Sequence, residues 1–271
     1  MKGMILFSLL FFASCASQRL ERKIEDSNWD ALADETYLRW DHKRLKAASS
    51  APDVVGCYKG NTSKTLETYK REYLTRKDDP HYWLHVGNCY FVDEKWTKAE
   101  FFYHLALDEA KAPTVKSIAL NNLGLLHFKH EQWEKGKEML SKAIALAPRF
   151  KTPRFNLSQL YLQFGFYEKA IVVLSHDVFK GDQDIDIYFS LANAYLYKGD
   201  MKKAGAYFEL IPKKHLRRED IASTYALYLI RRGNLKLATQ VLDDRERSGV
   251  PEIAAISEKI EKILIQRTKG E

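Results

Sequence analysis

The sequence has few of the residues that interrupt regular structure: 7 Pro and 13 Gly in 271 residues. That scarcity excludes a collagen-like or low-complexity chain, and 45% hydrophobic with 29% charged residues is the balance of a folded protein. Cysteine is scarcer still, with Cys15, Cys57 and Cys89 alone and no pair at CxxC or zinc-finger spacing. No apolar run reaches the roughly 20 residues that a bilayer-spanning helix needs. HExxH, GxSxG, a phosphate-cradling glycine loop and an ordered Ser/His/Asp set are all missing. The expectation is therefore a protein that is not an enzyme and holds no cofactor or metal. His81/His85 and His127/His130 have spacings that suit a shared ion, but neither pair has a third ligand, so they read as packing or surface residues. The DQDID run from Asp182 lacks the glycine and distal Glu of a calcium loop and reads as the cap of a helix starting near Ile185.

What the chain does have is a period. Residues Ser117 to Pro148 read SIALNNLGLLHFKHEQWEKGKEMLSKAIALAP, two amphipathic helical runs, A and B, joined across Lys129 to Trp133. The same pattern opens at Pro80, and from Ser117 it returns every 34 residues, at Lys151, Ile185 and Glu219. One slot of helix A is always small (Gly87, Gly124, Ser158, Ala192, Ala226), and so is one slot of helix B (Ala99, Gly136, Ala170, Ala204, Ala238). Small side chains let A and B approach closely, and a larger one is expected to overpack the joint by about 1–3 kcal/mol. Gly136 departs from Ala at its slot, an expected loss of about 1 kcal/mol of helix propensity. Gly165, Gly199 and Gly233 share the turn slot where a residue free to take positive φ ends helix A. Such a unit cannot bury its apolar face alone, so it must stack on its neighbours.

These units resemble tetratricopeptide repeats. The resemblance implies an all-α fold, an α-solenoid of helix–turn–helix repeats with five clear units over 80–250. Residues 27–79 form an N-terminal helix (Trp29, Leu32, Leu38, Trp40) and a degenerate unit, with Val54, Val55 and Cys57 in a short first helix and Leu66, Tyr69 and Tyr73 in a second. Over 251–271, Ile253, Ile256, Ile260 and Ile263 form one stripe, that of a capping helix or of an amphipathic membrane-binding one. The family is an interaction module whose A helices line a groove for protein or extended peptide segments. Carried over by position, the groove falls on Asn88, Phe91, Val92, Asn121, Asn122, Leu125 and Phe128. It continues through Phe155, Asn156, Gln159, Gln163, Phe189, Asn193 and Tyr197. Carboxamides offer a donor and an acceptor to a peptide backbone, and aromatics supply anchoring area. On that reading, Asn122→Asp with Asn156→Asp abolishes partner capture and leaves melting unchanged. Leu84, Thr152 and Asn156 stand where carboxylate-clamp members place basic residues, so a free acidic C-terminus is not the expected ligand.

The first 14 residues have the form of an export signal, with Lys2 ahead of the apolar run Met4 to Ala13. Phe12-Ala13-Ser14-Cys15 resembles the lipobox of bacterial lipoproteins, which implies lipidation of Cys15, a tether over 15–26 and attachment to a membrane by acyl chains. Ala16 in place of Asp implies the outer membrane, facing the periplasm; an ordinary secretory signal is the alternative. In an oxidising compartment Cys57 and Cys89 either bridge or remain as two buried thiols. The net charge of +7 is interspersed, and export argues against a nucleic-acid partner. Lys213, Lys214, Arg217 and Arg218 after Pro212, with Arg231 and Arg232, read as a basic edge or as a solvated charged loop. The expected function is an envelope-anchored scaffold, laid out like the lipidated pilotins of type IV pilus systems; the alternative is an adaptor that recruits peptidoglycan hydrolases or synthases.

Overall fold

The computed structural model describes Cys57, residues 61–179, 184–248 and 251–269. The expectations for the export signal, Cys15, the tether, the N-terminal helix and Val54 and Val55 lie outside these residues. Among the described residues every regular element is helical, apart from one isolated parallel bridge between Arg218 and Glu246. The chain is an all-α solenoid of paired helices with a terminal helix. Its contacts divide it into two compact units, one ending at Leu157 and the other beginning at Ser158.

The first unit holds α1 (Thr62–Arg76), α2 (Pro80–Val92), α3 (Trp96–Glu109), α4 (Pro113–Lys129), α5 (Trp133–Leu146) and the first half of α6 (Lys151–Gln163). α2 starts where the sequence dictates, because Pro80 cannot use its missing N–H and Asp79 accepts from the His81 amide at 2.9 Å. α1 is the second helix of the degenerate unit. Its Tyr69 is buried, and Tyr82 on α2 donates its hydroxyl to the Tyr69 carbonyl at 2.7 Å. Cys57 and Cys89 form a disulfide with a Cα–Cα distance of 5.2 Å, which resolves the open choice in favour of the bridge. α4 begins at Pro113, four residues ahead of the expected Ser117. Proline is at home in a first turn, so the insertion extends helix A rather than looping out.

The second unit holds the rest of α6, α7 (Tyr167–Leu174), α8 (Ile185–Lys198), α9 (Met201–Glu209), α10 (Glu219–Arg231), α11 (Leu235–Asp243) and α12 (Pro251–Lys269). As the DQDID run suggested, Asp184 caps α8 by accepting from the Asp186 amide at 2.9 Å. The core here is Ala192, Phe208, Ile211 and Ile221, with Tyr225 and Tyr228 packed against it. α12 buries Ile253, Ile256, Ile260 and Leu264 against α10 and α11. The Ser223 and Ser257 hydroxyls meet at 2.9 Å and are 34 residues apart, so α12 stands where the next A helix is due. Ile263 of the expected stripe is only half-buried, with Leu264 taking its place inside and Ile265 exposed; the packing of the other three favours the capping reading of this helix.

Candidate partner-binding face

The expected groove residues of the first unit are buried, save Val92, which is half-buried. Asn88, Asn121, Asn122 and Asn156 are all fully enclosed and bond to one another. The Tyr103 hydroxyl and the Asn122 amide both donate to Asn88 Oδ1 at 2.9 Å. Asn121 donates to Asn122 Oδ1 at 3.0 Å, and Asn156 to Asn121 Oδ1 at 2.8 Å. The result is a carboxamide ladder that joins α2, α4 and α6 through groups that would each be costly to bury alone. Phe91 packs its ring edge-to-face with Trp96, with centroids 5.2 Å apart. Phe128 lies over Gly136 and Leu125 is buried beside it in sequence. Resemblance placed these side chains on a ligand; the geometry spends the carboxamides on joining one repeat to the next, and Phe91 and Phe128 on packing against helix B of their own repeat.

The second unit treats the same slots differently. Gln159 donates to the Ser190 hydroxyl at 2.9 Å, which continues the repeat-to-repeat bonding. Asn193 is nearly enclosed on α8, yet its Oδ1 has no hydrogen-bond partner among the described residues. The slots that satisfy Asn88 explain why. Tyr103 is replaced by Phe208, which has no hydroxyl, and Asn122 by Thr224, whose hydroxyl turns back to the Asp220 carbonyl at 2.9 Å. Gln163 on α6 likewise has a buried Oε1 without a partner among the described residues. One turn along α8 from Asn193, Tyr197 is held between the Tyr167 ring, with centroids 5.9 Å apart, and the Arg231 guanidinium, 5.5 Å from its centroid. Burial raises the Tyr197 phenol to about 12 against the opposing pull of Arg231. Phe189, one turn before Asn193, lies under the Arg218 guanidinium at 5.8 Å.

Sequence reading missed the charge cluster that pins this face. Arg218 bonds Asp186 at 2.9 Å and Asp220 at 2.6 Å, and Glu219 accepts from both the amide and the hydroxyl of Ser248 at 2.6 Å. The expected basic edge does not assemble: Arg217 and Arg218 are engaged at the start of α10, whereas Arg231 lies at its other end, about 18 Å away at 1.5 Å per residue. Among the described residues no three His, Cys, Asp or Glu side chains gather as a metal site. Burial lowers the His127 pKa, against a hydrogen bond with Gln132 that raises it.

Residues 185–211, which are α8 and α9, match the tetratricopeptide repeat family model. The fold is that of a tetratricopeptide-repeat protein. Among solved structures, YrrB, described as a TPR protein with an unusual peptide-binding site, is similar with a TM-score of 0.53 and 15% identity, over 75% of this chain and 98% of its own. A tetratricopeptide repeat protein from Parabacteroides merdae is similar with a TM-score of 0.56 and 14% identity, over 79% of this chain and 81% of its own. The C-terminal part of a TPR repeat-containing protein from Cytophaga hutchinsonii gives 0.55 and 15%, over 75% and 78%. At these identities the likeness concerns the fold. No curated protein matches the chain.

Proposed function

We propose that this tetratricopeptide-repeat protein is a non-catalytic scaffold that takes an extended segment of a partner protein across α8. Asn193 and Gln163, whose oxygens are covered in the free chain, turn outward to accept backbone N–H groups of that segment, and Phe189 and Tyr197 give it apolar area on either side. The observation that carries this reading is the enclosed Asn193 oxygen. A buried carbonyl left unmatched costs roughly 1–3 kcal/mol, and a donor supplied by a ligand recovers that cost. Arg218 is already occupied by Asp186 and Asp220, so the site suits an internal segment rather than a terminal carboxylate. The peptide-binding site described for YrrB adds support by analogy of fold. We further propose that lipidated Cys15 holds the scaffold to a bacterial outer membrane, where it assembles an envelope machine in the manner of a pilotin. The Cys57–Cys89 disulfide supports an oxidising compartment.

The test separates the open acceptors from the ladder. Asn193→Leu with Gln163→Leu is expected to reduce partner recovery from solubilised envelopes about tenfold, the equivalent of one lost hydrogen bond to a buried group. Melting should hold or rise, since the change removes unmatched oxygens. Asn122→Leu, by contrast, is expected to lower melting by several degrees, because it removes one of two donors to Asn88 Oδ1 and an acceptor of the Asn121 amide. Undiminished recovery with the first variant retires the site. Recovery of no secretin or pilus component removes the pilotin assignment, and equal palmitate incorporation by wild type and Cys15→Ala removes the anchor.

A further inference from the structure

The turn after each A helix is built to one plan, a left-handed residue between two flanking ones. Four of the five turns flank it with polar groups: Asp93 and Lys95, His130 and Gln132, Lys198 and Asp200, Arg232 and Asn234. The turn between α6 and α7 has Phe164 and Phe166 instead, around Gly165 at φ 74°. These rings are 44% and 51% exposed. Phe166 also holds the N-cap of α7 without a capping bond, whereas Asp200 and Asn234 cap α9 and α11 from the same slot. Lys95 and Gln132 at this slot make no capping bond either, but only in this turn is the slot filled by a ring exposed to solvent.

Three of these turns run along one edge of the second unit. Tyr167 stacks on Tyr197, Glu168 pairs with Lys198 at 3.1 Å, and Arg231 covers Tyr197. Windows 164–169, 198–203 and 231–236 carry seven basic residues against two acidic ones. Both acids are already paired, Glu168 with Lys198 and Asp200 with Lys203. Lys202, Arg232 and Lys236 on this edge are exposed, and Lys169 holds its ammonium 4.9 Å from the Phe166 centroid. Exposed aromatic rings set in a field of uncompensated cations match the chemistry of a headgroup layer.

We propose that this edge docks on an anionic lipid surface. Phe166 and Phe164 enter the boundary between headgroups and acyl chains, and the turn cations lie over lipid phosphates. The edge adjoins the peptide site on α8 at Tyr197, but the proposal needs neither that site nor an acyl chain on Cys15. The test uses the full chain with Phe166→Trp, read as a difference against the parent with its five native Trp. On vesicles of phosphatidylethanolamine and phosphatidylglycerol, the added indole should shift its emission to the blue and be quenched by brominated acyl chains. Phe164→Ser with Phe166→Ser should weaken partition roughly tenfold. Salt at about 0.5 M should weaken it several-fold more by screening. The N-terminal apolar run adds the same background to every chain, so the local emission decides. A difference emission that stays unmoved on these vesicles overturns the proposal, and this includes the case of a turn that docks on a protein. Equal partition of the serine variant and its parent overturns it as well.

Discussion

At the scale of single residues, packing reverses one reading of the sequence. Gly136 looked like a weak point of α5, but a Cβ there would stand 2.0 Å from the Phe128 ring and 2.9 Å from the Gly124 carbonyl. Phe128 fills that gap, whereas the later repeats carry Leu162, Leu196 and Ile230 at its slot over Ala170, Ala204 and Ala238, and Phe91 of the preceding repeat, opposite Ala99, packs on Trp96. Gly136→Ala is therefore expected to destabilise by about 1–3 kcal/mol despite its gain in helix propensity, and Phe128→Leu in the same chain should restore most of the loss. Thermal melting of the two variants checks this; a single variant as stable as wild type would contradict it. Small slots could be read from the sequence because they recur. The cause of this glycine could not, since it lies in a ring on another helix. Glu94 and Glu131 take φ of 58° and 57° where the later turns have glycine, so the left-handed turn is set by the repeat and not by the residue that occupies it.

At the scale of elements, the helix pairs and their period were legible, because burial of a recurring face is a property of spacing. The bonding of the A helices was not, because a carboxamide looks the same in sequence whether it faces a ligand or a neighbouring repeat. The choice at Asn88 and Asn193 turned on Tyr103 against Phe208, residues that lie 15 positions away in each case. The packing of α7, α8 and α10 around Tyr197 makes a pH prediction. Its phenol is raised to about 12, so the folded chain keeps its proton while the unfolded chain loses it near pH 10. Stability is complete below pH 10 and falls as pH rises from about 10 to 12, by on the order of 2 kcal/mol. Urea melts across that window should show the fall, and Tyr197→Phe should flatten it; an unchanged slope in the variant would assign the effect to other tyrosines.

At the scale of the whole molecule, the disulfide ties the degenerate first repeat to the first regular one across 32 residues of chain. Loop-closure entropy for a ring of that size contributes roughly 3–4 kcal/mol. Cys57→Ser with Cys89→Ser, or reduction, is expected to lower the melting of residues preceding Pro80 first, seen as lost amide protection over Thr62–Arg76, with α8 to α11 little changed. Uniform loss of protection along the chain would mean that the array unfolds as one body. An array of near-identical bricks also makes conversion between mortar and doorway cheap. Ala192→Gly with Phe208→Tyr copies the Gly87/Tyr103 pair into the later repeat and gives Asn193 the hydroxyl it lacks. If so, one oxygen atom, gained or dropped in evolution, decides which rung of the stack is sealed and which one receives visitors.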